Sequence, residues 1–269
     1  MVLPKTTIFT LSLLLCAAVL STGCQGQTSL FSRPVVYARS AGDNYKKGLR
    51  ELKDENFIES AKFFIYVKSK FPFSRFATLA ELRIADALFG QEKFLEAVDA
   101  YKLFIKFHPT HPNVLDGYAA YRVGDSYVKQ IPSDWFLLPP AYEKDQSSTR
   151  DALRELKVFM QLHASSKYLA KVKNLHLQCI RRLAAHELYV AEFYLAQGKP
   201  KGTIFRLNGM LKRFPDAGLD PKVMLMLGET YLKLEKKKKA REAFASLVKQ
   251  YPADPHSKRA RKHLRNMGR

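Results

Sequence analysis

The chain has 269 residues, 46% hydrophobic and 26% charged, with 13 Gly and 13 Pro. That is enough apolar side chain for one large or two small domains, and it excludes a disordered chain. Lys plus Arg number 45 against 25 Asp plus Glu, a formal charge of +20, so an anionic partner is expected: nucleic acid, lipid head groups or an acidic protein face. Three cysteines exclude a disulfide framework.

Met1–Thr7 carries one charge, Lys5, and Ile8–Leu20 is an apolar run of 13 residues. A spanning helix needs roughly 20 apolar residues, so this run reads as a signal-peptide core. Leu20-Ser21-Thr22-Gly23-Cys24 follows, then a polar stretch from Gln25 to Ser29. The string resembles the lipobox of bacterial lipoproteins, with Ser21 where that motif usually has Leu. The resemblance implies cleavage after residue 23 and acylation of Cys24; Gln25 resembles an outer-membrane sorting signal. The alternative is an ordinary signal peptide with an incidental cysteine. Residues 24–41 then form an acylated cysteine with a flexible linker.

From residue 42 the chain reads as all-α. Phe71-Pro72, His108-Pro109, Phe214-Pro215 and Tyr251-Pro252 each close an amphipathic stretch, and Pro72 to Pro109 and Pro215 to Pro252 are both 37 residues. A period in the mid-thirties with two helices per unit is the tetratricopeptide (TPR) pattern, nominally ~34 residues. Small and large residues fall at its packing positions: Gly48, Ser60 and Phe64; Ala85, Ala97 and Tyr101; Ala191, Thr203 and Leu207; Gly228, Ala240 and Phe244. The prediction is a superhelical array of about five TPR helix pairs: repeats 1–3 over 42–163, repeats 4–5 over 164–253, and a basic capping helix over 254–269. The A helices line its concave face.

The third unit is interrupted. Gly124 to Ala152 is 28 residues where Gly228 to Ala240 is 12. The excess falls at about 131–148 and contains Trp135, Phe136, Leu137, Leu138 and Pro139-Pro140. An apolar insertion of this kind is either tucked onto the array or offered to a partner. Cys179, on an apolar-periodic segment, is predicted to be a small core residue.

Catalytic chemistry is not evident. His186-Glu187 opens like a zinc-protease motif, but Val190 stands where the second His belongs, so the two read as a helix-surface pair. His108 and His111 lack neighbouring acids or thiols for a metal site. No Walker loop, nucleophile elbow or dinucleotide fingerprint occurs. A non-enzymatic binding protein without cofactor or metal is expected.

The A-helix slots offset from the packing positions hold Tyr45 and Leu49, then Leu82, Asp86 and Phe89, then Tyr118, Tyr121, Asp125 and Lys129. Tyr45, Phe89, Tyr118, Tyr121 and Asp125 are the candidate peptide groove: aromatic walls with a few hydrogen-bonding groups suit an extended peptide. The other reading makes the aromatics core. Residues 196–269 hold 19 Lys plus Arg against 6 Asp plus Glu; this end is a solvated face, or a contact for anionic head groups or an acidic domain. Without interleaved aromatics and in an exported chain, nucleic acid is excluded.

Several strings are more specific than TPR consensus: Phe71-Pro72-Phe73, Pro109-Thr110-His111-Pro112-Asn113, Tyr118 and Tyr121, Tyr189 through Tyr194, and Arg206 followed by Gly209-Met210-Leu211 and Pro215-Asp216. With the lipobox they resemble the BamD family, the TPR lipoproteins of the machine (the BAM complex) that assembles outer-membrane β-barrel proteins. The resemblance implies a lipid-anchored protein on the periplasmic face of the outer membrane. Its N-terminal repeats would receive carboxy-terminal targeting segments of unfolded barrel proteins. Its C-terminal repeats, through Arg206, Gly209 and Met210, would hold a POTRA domain of the insertase BamA, with accessory BAM lipoproteins as further partners. The competing readings are a TPR lipoprotein of another envelope system, such as a pilotin for secretin assembly or a cell-division coordinator, and an envelope hydrolase or its activator.

Overall fold

A computed structural model describes residues 35–132 and 140–268. The expected signal segment, Cys24, the linker up to residue 34, and the insertion centre from 133 to 139 with Trp135 lie outside the described residues. Tyr37–Arg269 is one compact unit, and among its described residues there are helices and no strand.

The helices pair in chain order. α1 (Ala41–Lys53) packs on α2 (Phe57–Lys70), and α3 (Arg75–Gly90) on α4 (Phe94–Phe107). A single turn, α5 (Pro112–Leu115), leads to α6 (Tyr118–Lys129), which packs on α7 (Ser147–Leu162). α8 (Leu169–Ala196) then pairs with α9 (Pro200–Arg213), and α10 (Asp220–Lys233) with α11 (Lys237–Gln250). α12 (Pro255–Met267) covers the last pair. Each pair also packs on the next, so every apolar stripe is covered by a neighbour in sequence. The TPR architecture expected from the 37-residue spacing is therefore present.

One register holds the pairs together. The first helix of each carries a small residue at the crossing (Gly48, Ala85, Gly124, Ala191, Gly228), and the second a small residue with a large one four positions on. Those large residues, Phe64, Tyr101, Leu156, Leu207 and Phe244, are all fully buried. The small residue is needed because the helices close to within a side chain's width. A Cβ on Gly228 would lie 2.4 Å from Phe244 Cε1, and one on Gly48 2.7 Å from Phe64 Cε1, distances no packed core accommodates without moving the ring. Where the second-helix residue is polar its hydroxyl is satisfied: Ser60 Oγ donates to the Gly48 carbonyl at 2.9 Å and Thr203 Oγ1 to Ala191 at 3.2 Å.

The turn inside each pair demands a left-handed residue seven positions after the small one. Glu55 (φ 61°), Glu92 (φ 60°), Gly198 (φ 67°) and Glu235 (φ 58°) fill it. In the third pair that position is Ile131, where the insertion begins, and no left-handed residue is found there. The flanks of the insertion fold back onto α8. Arg182 donates from Nη2 to the Pro132 carbonyl at 2.8 Å and from Nε to Gln146 Oε1 at 3.3 Å; His186 Nδ1 meets the Tyr142 carbonyl at 2.6 Å. The Tyr142 and Tyr189 rings lie 5.8 Å apart. Of the two fates open to the insertion, its described flanks are tucked.

α8 is the longest of the described helices. It runs 28 residues, about 42 Å at 1.5 Å per residue. Its first half buries Val172 and Cys179 against Ala152, Leu156 and Phe159 of α7; its second half buries Ala184, Leu188 and Ala191 against Leu207 and Met210 of α9. The core position expected for Cys179 is found, and burial pushes its thiol up from the ordinary 9.0 to about 11.

Candidate functional site

Two adjacent first helices, α3 and α6, repeat the string Arg-x-x-Asp around their small residue: Arg83 and Asp86, then Arg122 and Asp125. A spacing of three places each pair on one helix face, and the register of the array brings the two faces together with Tyr101 of α4. Asp86 Oδ1 accepts from the Tyr101 hydroxyl at 2.6 Å and the Tyr118 hydroxyl at 2.7 Å, while Oδ2 accepts from Arg83 Nη1 at 2.6 Å. Arg122 donates from Nε to Tyr101 Oη at 3.2 Å and from Nη1 to Asp125 Oδ2 at 3.1 Å. Its guanidinium lies over the Phe89 ring, 3.5 Å from the centroid, a cation–π contact.

Both carboxylates are buried, and each has an arginine against it. Burial, and then the Asp86 charge, push the Tyr101 and Tyr118 hydroxyls upward. For Arg122, burial opposes the charge but is outweighed by the tyrosines and Asp86, so its pKa rises. The cluster is thus a charge-balanced network of protonated phenols and charged guanidiniums. At its rim Tyr121 stacks on Tyr168, 5.0 Å between centroids and 3° between planes, with both rings half-buried. This arrangement offers flat aromatic faces and fixed polar groups and no nucleophile–base pair. Among the described residues no group of three His, Cys, Asp or Glu is placed to hold a metal.

Of the five groove residues predicted, Phe89, Tyr118, Tyr121 and Asp125 fall in this cluster. Tyr45 joins it through a side-chain hydrogen bond with Arg83, but it is 7% exposed and its ring packs against Phe64 and Phe76, so it offers no open face to a peptide. It stands three positions before the small residue, a column that also buries Leu82, Leu188 and Leu225 and leaves Tyr121 half-buried. Arg122 and Tyr168 were not anticipated, although the repeated Arg-x-x-Asp string was there to find Arg122.

The second candidate surface is on α9. Arg206 is one-third exposed and its Nη1 lies 3.2 Å from Glu187 Oε2; Arg213 Nη2 reaches Glu187 Oε1 at 2.6 Å. Glu187, expected on the surface, is instead buried between α8 and α9 and held by two arginines. Gly209 is partly exposed, and Arg213 Nε donates to its carbonyl at 3.2 Å. Met210 cannot touch a partner: it is fully buried in the core shared by α8, α9 and α10, because Thr203, Leu207 and Met210 form the inward i, i+4, i+7 stripe of α9.

A family model described as "YfiO: Outer membrane lipoprotein" matches residues 38–243. The chain belongs to that family. It is similar to the outer membrane protein assembly factor BamD of Neisseria gonorrhoeae, 24% identical over 217 residues that cover 78% of this chain and 79% of the relative. It is likewise similar to the BamD of Haemophilus influenzae, 25% identical over 228 residues and 82% of each. Among solved structures, the TPR2AB domain of yeast Sti1 in its pHSP90 complex aligns over 81% of this chain and 80% of that one, with TM-score 0.45 and 12% identity. In this YfiO-family chain the match takes in both candidate surfaces and ends inside α11, so α12 lies beyond it. No described helix is long and apolar enough to cross a membrane.

Proposed function

We propose that this chain is a non-enzymatic, lipid-anchored assembly factor for outer-membrane β-barrel proteins. It is tethered through Cys24 at the periplasmic face of the outer membrane, and accessory BAM lipoproteins are further partners. Its first three helix pairs receive the carboxy-terminal segment of an unfolded barrel protein, and α9 holds a POTRA domain of the BamA insertase through Arg206 and Gly209. Family membership and the name its relatives carry support the process. The observation that carries the receiving role is the Phe89–Arg122–Tyr118–Tyr121 cluster. Its aromatic faces are pre-set by buried hydrogen bonds, so an incoming aromatic side chain buries area with little ordering cost.

The test uses the full chain and a labelled peptide ending in Phe, read by fluorescence anisotropy. Changing the terminal Phe to Ala, or Tyr121→Ala in the protein, is expected to weaken binding about tenfold, as loss of an aromatic anchor does. Equal affinity for the two peptides would remove the groove from this reading.

A further inference from the structure

The basic end of the array has no part in either surface above. Residues 236–268 contain 11 Lys plus Arg and only two acids, Glu242 and Asp254. The structure gathers the cations. α11 and α12 run antiparallel, and Arg241 Nη2 donates to the Met267 carbonyl at 2.9 Å. This sets the lysine run Lys236–Lys239, at the start of α11, beside the last turn of α12. Along α12, from its first turn to its last, Lys258, Lys262 and Arg265 stand at i, i+4 and i+7, one exposed stripe. None of these three, nor Lys236, Lys237 or Lys238, makes an ion pair among the described residues, while the nearby acid Glu229 is already paired with Arg259 at 2.9 Å and has His263 Nε2 at 3.2 Å.

Two features say what covers this surface. Lys237–Lys239 fill the first turn of α11, where the helix dipole and mutual repulsion both disfavour cations, so they weaken the fold they sit in. And among the described residues no exposed large hydrophobic side chain lies beyond Phe205. A stable protein interface is anchored by buried aromatic or aliphatic groups; a fluid anionic surface needs none, and attracts each cation within a Debye length.

We propose that the exposed face formed by the start of α11 and by α12 binds anionic phospholipid head groups of a bilayer. The lysine run and the α12 stripe would lie against the head-group plane, a contact additional to the lipid anchor of the reading above.

The experiment is co-sedimentation of the full chain carrying Cys24→Ser, which removes the acylation site. Vesicles of phosphatidylcholine alone are compared with vesicles in which about one lipid in three is phosphatidylglycerol. Any apolar contribution from residues 8–20 is common to both. We expect at least a roughly tenfold preference for the anionic vesicles, abolished by raising salt. The variant with Lys237, Lys238, Lys239, Lys262 and Arg265 all changed to Gln should lose it. A control of equal net charge, with Lys46, Lys53, Lys129, Lys171 and Lys173 changed to Gln, should keep it. Equal loss in the two variants would reduce the effect to net charge and overturn the proposal, as would indifference to phosphatidylglycerol. Tight capture of polyglutamate by the same five residues, with no vesicle preference, would make the surface a dock for an acidic protein instead. Neither client nor insertase is present, so failure here leaves the assembly-factor reading standing.

Discussion

Three of the four left-handed turn positions are held by glutamate, a residue whose Cβ is crowded at positive φ. The strain is about 1–2 kcal/mol per site, and glycine relieves it at some cost in unfolded-state entropy. Glu92→Gly is therefore expected to raise stability by about 1 kcal/mol, a melting-temperature gain of about 2–4 °C for a domain of this size. Gly228→Ala should act in the opposite sense, losing about 1–3 kcal/mol, because its new methyl meets the immobile Phe244 ring. Circular dichroism melts of the two variants check both signs, and a loss on Glu92→Gly would refute the strain argument. A second residue-scale expectation concerns pH. The Cys179 thiol is raised from 9.0 to about 11 by burial, so the folded state favours the protonated form. Its contribution is complete below pH 9 and lost as pH rises through about 11. Tyr101 and Tyr118, raised by burial and Asp86, add to the same alkaline loss. Urea midpoints of the native chain should fall through this window more steeply than those of Cys179→Ala; parallel profiles would contradict the assignment.

At the scale of elements, much of the array was readable from sequence because proline marks its turns. The residue before proline is driven to extended backbone, and Phe71, His108, Phe214 and Tyr251 all end their helices at φ between −128° and −132°. His163 ends α7 at φ −127° with Ala164 after it, so the same turn forms there without its punctuation. Its ring packs on Phe159 much as His108 packs on Phe104, a contact visible only after folding. The length of α8 was legible in principle, since no Gly or Pro interrupts 164–197. A repeat template, however, assigns each helix a standard length and hides a longer one. The candidate surfaces divide the same way. Likeness of the Gly-Met-Leu string put Met210 in a contact that helical periodicity forbids. Conversely, the pairing of Glu187 with Arg206 and Arg213 depends on how two helices meet, which no single-chain pattern contains.

For the molecule as a whole, that pairing sets how the insertase contact must be tested. Arg206→Glu would place a carboxylate against Glu187 and disturb the α8–α9 junction as well as any partner. Arg206→Gln and Arg213→Gln each remove one of the two intramolecular partners of Glu187, and only the first removes the proposed intermolecular one. A buried interfacial arginine that loses its carboxylate costs a few kcal/mol. Arg206→Gln should therefore weaken POTRA binding by about tenfold or more, with Arg213→Gln close to the native chain; equal losses, measured by calorimetry, would assign the effect to the junction. α8 has a further, practical meaning. Repeat arrays are usually shortened between units, since each unit touches only its neighbours. Here a fragment stopped at residue 163 would strip the cover from Leu156 and Phe159, which are buried with Val172 and Cys179. One begun at residue 164 would carry half a helix with nothing beneath it. Because the second half of α8 is in turn covered by Leu207 and Met210 of α9, no seam for dissecting this chain falls between residues 163 and 213, and a truncation made on the repeat boundary would be read as lost binding when it is lost folding.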